Sequence, residues 1–224
     1  MAPRTGLFVT GTDTGVGKTE VGRAGIAQLR RAGLSVSVMK PIETGVGPEG
    51  PLDALALRDA AGVDDDLEVV CPLQFSLPAA PNVAAEDEGR EVDLPLILDR
   101  YETLRKSRDF TWVEGAGGLL VPVNDEMSMA DLAKALSLPV LLVARASLGT
   151  INHTLLSLAE IDRQGLECVG VVISHSAEPT SPADLKNLSA LRQLLGPRLL
   201  AELPTLEPGQ APPPDWISAD SLLG

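Results

Sequence analysis

Short, almost unbroken apolar runs alternate along this chain with longer stretches in which apolar residues recur at helical spacing. The runs at 7–10, 35–40, 111–114, 139–144 and 169–174 predict strands. Strands apolar on both sides belong to a parallel sheet whose two faces are both covered. The periodic stretches predict helices over 17–32, 53–61, 94–107, 129–136, 151–164 and 182–195. Gly33, Gly62, Gly165 and Gly196 follow four of these, where a glycine closes a helix. Strand and helix in alternation predict an α/β fold: a mostly parallel central sheet, right-handed crossovers and helices on both faces.

Two segments break the pattern. Residues 76–93 carry Pro78, Pro81 and an acidic run, and read as a solvated loop. The Pro-rich stretch 207–214 excludes helix and central strand and predicts an extended segment. The length, 224 residues, suits one domain spanning 1–224. Aromatic residues make up only 3%, so the core is aliphatic and a base-stacking surface for nucleic acid is excluded.

The formal net charge of −13 repels nucleic acid and anionic lipid, yet leaves room for a local basic pocket that binds a small anion. Lysine is scarce against arginine, which draws attention to Lys18 and Lys40 among Lys106, Lys134 and Lys186. The two cysteines, Cys71 and Cys168, lie far apart in no metal-binding spacing, and Cys168 reads as a buried small side chain. No signal peptide fits the start, and no apolar run reaches membrane-spanning length. The expectation is a soluble, cytoplasmic protein.

Gly11-Thr12-Asp13-Thr14-Gly15-Val16-Gly17-Lys18-Thr19 follows a predicted strand and opens a predicted helix. That context is what a phosphate cradle needs. The glycines let successive amides converge on one anion, and the helix start adds its positive end. Lys18 can set a charge against terminal phosphates, and the Thr19 hydroxyl can reach Mg²⁺. Gly11 stands one residue early for the common spacing, so the loop is a variant P-loop, and the fold expected is P-loop NTPase-like.

Functional residues of a parallel sheet gather where the strands end. Glu114 ends one strand, before Gly115-Ala116-Gly117-Gly118, small residues that admit a ligand. Lys40 ends another, in Lys40-Pro41-Ile42-Glu43-Thr44-Gly45. Both are expected to face the crevice that holds Lys18. Asp53 opens a helix and is by type an ordinary N-cap. Gly149-Thr150-Ile151-Asn152-His153 starts another helix, whose free amides could hold a carboxylate or be capped by Thr150 or Asn152.

Taken together, the cradle at 11–19, Lys40-Pro41 with Thr44-Gly45, Asp53-Ala54-Leu55-Ala56-Leu57, Val113 to Gly118, and Leu148 to His153 resemble the dethiobiotin synthetase family. The resemblance covers about residues 6–153, continues weakly through 170–175 and 203–206, and leaves 62–108 and the tail aside. It implies ATP-dependent ring closure of 7,8-diaminopelargonic acid with CO₂, through a carbamate and its phosphorylated mixed anhydride, releasing ADP and phosphate. It implies a homodimer with the site near the subunit interface.

By the resemblance, Gly15, Val16, Gly17, Lys18, Thr19, Glu20, Gly115, Ala116 and Gly117 surround the nucleotide. Thr19, Asp53 and Glu114 hold Mg²⁺, so Asp53 moves from cap to ligand on the resemblance alone. Lys18 and Lys40 are the catalytic cations. Thr14, Lys40 and Thr44 contact the diamine or carbamate. Gly149, Thr150 and Asn152 of the partner subunit anchor the substrate carboxylate. Ser174, His175, Pro204, Thr205 and Leu206 flank the base.

Two departures qualify the resemblance. Ser174-His175 stands where family members often carry Asn-Asp, which leaves another nucleoside triphosphate open besides ATP. Pro204-Thr205-Leu206 matches only at its proline and leucine. Three alternatives compete. A partitioning-type nucleotide switch would carry a second lysine where this chain has Asp13-Thr14. A GTP-binding module would need an Asn-Lys-x-Asp motif, which is missing. A related synthetase or amidotransferase domain need not combine Lys40 with the 149–153 motif.

Overall fold

The computed structural model describes residues 3–175, 181–207, 210, 212, 213 and 216–224. The strands are β1 (Gly6–Gly11), β2 (Val36–Met39), β3 (Ile42–Thr44), β4 (Leu73–Phe75), β5 (Phe110–Gly118), β6 (Val140–Arg145), β7 (Cys168–Ser174) and β8 (Leu199–Leu203). The helices are α1 (Lys18–Arg31), α2 (Leu52–Ala61), α3 (Leu67–Val70), α4 (Pro81–Asp87), α5 (Leu94–Arg105), α6 (Met129–Ala135), α7 (Thr150–Arg163), α8 (Pro182–Leu195) and α9 (Ala219–Leu223). Six strands form one sheet in the order β2-β5-β1-β6-β7-β8, with every pairing parallel. The short strands β3 and β4 pair, also in parallel, as a separate ribbon.

Alternate side chains of a strand point to opposite faces, and the two cores follow that rule. Leu7, Val9, Val38, Trp112, Leu141 and Val143 face α1, α2 and α9. Phe8, Met39, Val113, Leu142 and Ile173 face α5, α6, α7 and α8. Helices therefore cover both sides, as the apolar strands predict. Trp112 is fully buried because α1 presents glycine to it: a Cβ on Gly25 would lie 2.4 Å from the indole. Two buried hydroxyls, Ser37 and Thr111, lie opposite each other on β2 and β5 and satisfy each other at 3.1 Å.

The chain moves outward from β1 on both sides, with β5 on one flank and β6 on the other. Such a reversal opens a crevice at the carboxyl ends of the strands. Among the described residues no helix is long and apolar enough to cross a membrane.

Several boundaries differ from the sequence reading. The 76–93 segment is not all loop: α4 occupies Pro81–Asp87. Pro81, which reads as a breaker, takes the first helical turn, where proline is at home. β5 runs on through Gly118, four residues past the predicted strand end at Glu114. The sequence pattern marks none of strands β3, β4 and β8 or helices α3 and α9. Cys168 is only partly buried, while Cys71 is fully so. The expected extended segment at 207–214 lies partly outside the described residues, at 208, 209, 211 and 214.

Candidate active site

The loop between β1 and α1 curls because Gly15 and Gly17 sit at φ 70° and 91°. Only glycine reaches this left-handed region without strain. Gly17 is the N-cap of α1 and has no side chain to occupy the helix end, so the first amides stay free to face an anion. Lys18 follows at once. It is nearly buried, and its Nζ lies 3.4 Å from the Asp13 carbonyl inside the loop. Burial, and then the charge of Lys40, hold the Lys18 ammonium below its usual 10.5.

Lys40, one residue past β2, is buried between two carboxylates. Its Nζ donates to Glu114 Oε1 at 2.6 Å and to Asp53 Oδ2 at 2.7 Å. Burial opposes its charge, yet Glu114 and Asp53 more than compensate, and its pKa lies above the usual value. Thr19 donates to Asp53 Oδ1 at 2.9 Å and is 3.0 Å from Glu114 Oε1. Burial by itself would raise the Asp53 carboxyl, but the adjacent Lys40 charge and hydrogen bonds hold it below its ordinary range.

Lys18, Thr19, Lys40 and Asp53 line one cavity of about 680 Å³, whereas Glu114, expected to face the same crevice, lies fully buried behind Lys40 and Thr19 and does not line it. Gly15, Gly17, Lys18, Thr19 and Glu20 form its cradle wall. Lys40, Glu43, Thr44 and Asp53 face them, with Thr14, Ala116 and Gly117 beside the loop. Lys18 and Lys40 therefore share one pocket.

The donor set fits a small hard cation. Glu114 is 0% exposed, and its Oε2 has no hydrogen-bond partner among the described residues. A buried, unpartnered carboxylate oxygen is costly unless a cation or donor reaches it. Glu114 Oε2 faces α1, 3.6 Å from where a Gly22 Cβ would stand, so it is Oε1 that meets the Thr19 hydroxyl, and with the Asp53 carboxylate these oxygens are the all-oxygen donors that Mg²⁺ prefers. Among the described residues no three His, Cys, Asp or Glu side chains cluster as a self-sufficient metal site.

A family model described as an AAA domain matches residues 5–212. The ATP-dependent dethiobiotin synthetase BioD of Anaeromyxobacter sp. (strain Fw109-5) is 46% identical over 198 residues, covering 88% of this chain and 89% of that protein. The protein of the same name from Thermodesulfovibrio yellowstonii is 42% identical over 203 residues, 83% of this chain and 85% of its own. The one from Methanocaldococcus jannaschii is 41% identical over 172 residues, 75% and 78% of the two chains. The chain belongs to the ATP-dependent dethiobiotin synthetase family. A solved MinC:MinD cell division protein complex of Aquifex aeolicus has a similar fold, with a TM-score of 0.55. The match covers 92% of this chain and 83% of that one at 15% identity, so the likeness concerns the fold alone.

Not every residue that the family resemblance marks lies at the cavity. Val16 is fully buried in the core, so only its backbone faces the cradle. Gly115 packs too: a Cβ there would stand 2.8 Å from the Phe8 ring, so its small size serves β5 packing rather than ligand access. Gly149, Thr150 and Asn152 do not line the cavity of their own chain. Gly149 is the N-cap of α7 with no side-chain cap, and Thr150 is buried with its hydroxyl 3.5 Å from that of Thr154.

Ser174, His175, Pro204, Thr205 and Leu206 also lie off this cavity, at the ends of β7 and β8. The His175 amide donates to the Leu203 carbonyl, and the Thr205 hydroxyl to the His175 carbonyl at 2.6 Å. His175 Nε2 is 3.0 Å from Glu202, which Arg192 also grips. Ser174 is nearly inaccessible.

Ile42, Glu43, Val121 and the stretch from Pro78 to Pro81 also line the cavity but escape the sequence reading, and Glu43 is the one among them with a charge. Asp53 is not the N-cap of α2; that position is Pro51, which has no side-chain acceptor. Glu43 of β3 does the capping instead, accepting from the Asp53 and Ala54 amides at 2.9 and 3.0 Å. Burial raises its carboxyl, and the two amides partly offset that. Its place after Lys40-Pro41 was the available signal, hidden because β3 spans three residues.

Proposed function

We propose that this chain is an ATP-dependent cyclo-ligase of biotin biosynthesis that closes the urea ring of dethiobiotin from 7,8-diaminopelargonic acid, CO₂ and ATP. The carrying observation is the Lys40 ammonium, held by Glu114 and Asp53 across one cavity from the Lys18 cradle. Family membership supports the substrate, and the geometry is compatible with the chemistry.

One amine of the diamine adds to CO₂ and loses a proton, giving a carbamate. A carbamate oxygen then attacks the γ-phosphorus of ATP, and the bond to the bridging oxygen breaks to release ADP. The second amine attacks the carbonyl carbon of the mixed anhydride and loses a proton as phosphate departs. Phosphoryl transfer asks the protein mainly for positioning and charge neutralisation. The cradle amides and Lys18 hold the β- and γ-phosphates. Lys40 counters the carbamate charge and the charge that grows as phosphate transfers. Thr14 and Thr44 orient the diamine. Mg²⁺ would be held by Thr19, Asp53 and Glu114, and supplies a further positive charge at the phosphates.

The protein acts as a homodimer in the cytoplasm, as one domain spanning 1–224. Leu120 and Leu156, both exposed, line a groove of about 400 Å³ between the cradle and α7. A second copy covering it brings Gly149, Thr150 and Asn152 of one protomer to the substrate carboxylate of the other. ATP is the co-substrate; the shorter reach of Ser174 leaves CTP and GTP as substrates to compare.

The test is purified protein with diaminopelargonate, bicarbonate, Mg²⁺ and ATP, followed by mass spectrometry. Formation of the cyclic urea with one ADP per product supports the reading. ATP hydrolysis unaffected by the diamine, with no urea, overturns it.

A further inference from the structure

The first turn of a helix exposes amides that need acceptors, and the side chain at its N-cap ordinarily supplies one. In α2 the N-cap, Pro51, supplies none, and Asp53, two residues on, points its carboxylate to Thr19 and Lys40. The helix end is satisfied from outside, by Glu43 of β3. Both Glu43 oxygens are engaged, one on each amide, and the residue is 7% exposed. It is therefore neither a free base nor a free ligand, although it lines the cavity.

The two acids compete for one task. If Glu43 did not hold the amides of Asp53 and Ala54, the short Asp53 side chain would be the nearest acceptor for the end of its own helix. It would then leave Thr19 and Lys40. Glu43 also joins the ribbon carrying Thr44 to the helix carrying Asp53, fixing the two walls together.

We infer that Glu43 is a positioning residue: by clamping the start of α2 it keeps the Asp53 carboxylate turned toward Thr19, and thereby sets the site's affinity for its divalent cation. The inference rests on the proposed ligation of Mg²⁺ by Asp53.

Its test compares the intact protein with Glu43→Ala, Glu43→Gln, Asp53→Asn and the paired variants. The dissociation constant of a non-hydrolysable ATP analogue is measured with excess Mg²⁺ and with excess EDTA. The quantity read is the factor by which Mg²⁺ tightens binding, which requires no turnover. In Glu43→Ala that factor falls about 10–100-fold, the usual effect of losing a residue behind a metal ligand. Affinity in EDTA stays within about 2-fold, because the cradle is untouched. Glu43→Gln keeps the volume and one acceptor, and loses less. In the Asp53→Asn background, changing Glu43 has no further effect, since its action runs through Asp53.

A wild-type Mg²⁺ factor retained in Glu43→Ala overturns the inference alone. So does an equal loss of affinity with and without Mg²⁺, which marks a general structural role. Effects that add in the Asp53→Asn background overturn it as well. If the wild-type protein binds the analogue equally with and without Mg²⁺, the metal reading falls and takes this inference with it. Should Glu43→Ala fail to fold, Glu43→Gln, alone and with Asp53→Asn, makes the same comparison.

Discussion

Replacing Lys40 by methionine removes one charge while nearly conserving the side-chain volume. The Lys40 Nζ lies 2.6 Å from Glu114 and 2.7 Å from Asp53. At an effective dielectric constant of about 20, each contact carries about 6 kcal/mol of gross Coulomb attraction. Burying the ions costs several kcal/mol apiece, so the net effect of breaking such a buried pair is about 3–5 kcal/mol. Glu114 is fully buried and would be left with Thr19 alone, so the variant unfolds at a lower temperature. A group that neutralises charge in a closed site contributes about 3–4 kcal/mol to the transition state, or about 10²–10³ in rate.

The cradle amides, Lys18 and the Thr19 hydroxyl all remain in the variant. Nucleotide affinity measured in EDTA therefore stays within about 3-fold while kcat drops by about 10²–10³. Diamine-dependent ADP release gives the rate, and calorimetric titration with an ATP analogue gives the affinity. Two results refute the reasoning: turnover within about 3-fold of wild type, or a fall in nucleotide affinity that accounts for the whole loss of rate.

Three further outcomes are expected. Gly25→Ala drives a methyl group into the rigid Trp112 indole, 2.4 Å away, and destabilises by about 1–3 kcal/mol, read as a fall in Tm by differential scanning calorimetry. An unchanged or raised Tm contradicts the packing of α1 on β5. The folded-state pKa of Asp53 lies below its ordinary 3.8, so its ion pair adds stability that is present above that value and lost as pH falls through the lowered one. The stability gap between wild type and Asp53→Asn, followed by urea unfolding, is thus widest near neutral pH and closes in acid; a constant gap from pH 7 to about pH 3 contradicts it. Leu156→Glu, on the exposed face of α7, yields a monomer in sedimentation and raises the KM for the diamine. A dimer with unchanged KM removes this face from the interface.

The main sheet was legible because its strands are nearly continuous in apolar residues, a signal that needs no long-range information. The cradle was legible because glycine, lysine and threonine at fixed spacing have a local geometry of their own. The ribbon was not. β3 carries Glu43 between Ile42 and Thr44, too short a run for any period to show. β8, Leu-Leu-Ala-Glu-Leu, comes directly after the short turn at Gly196–Arg198 and carries a glutamate inside five residues, too little for a buried-strand pattern to show. At the site, strand ends marked Lys40 and Glu114, but the cap of α2 depends on a contact across ten residues of sequence, which no local propensity encodes. Asp53 looked like a cap because its residue type and position match one; the tertiary acceptor Glu43 displaced it from that role.

The β3–β4 ribbon stands apart from the six-stranded sheet, yet it brings Glu43 and Thr44 to the cavity, with Pro78, Ala79, Ala80 and Pro81 following it. The phosphate machinery is thus anchored in one rigid layer and much of the acceptor wall in an appendage. Exchanges at Thr44 and between 78 and 81, which leave Glu43 and Asp53 in place, can reshape which molecule is presented to the nucleotide without disturbing the engine that activates it. Catalysts of new specificity are to be sought by rebuilding that appendage, not the sheet beneath.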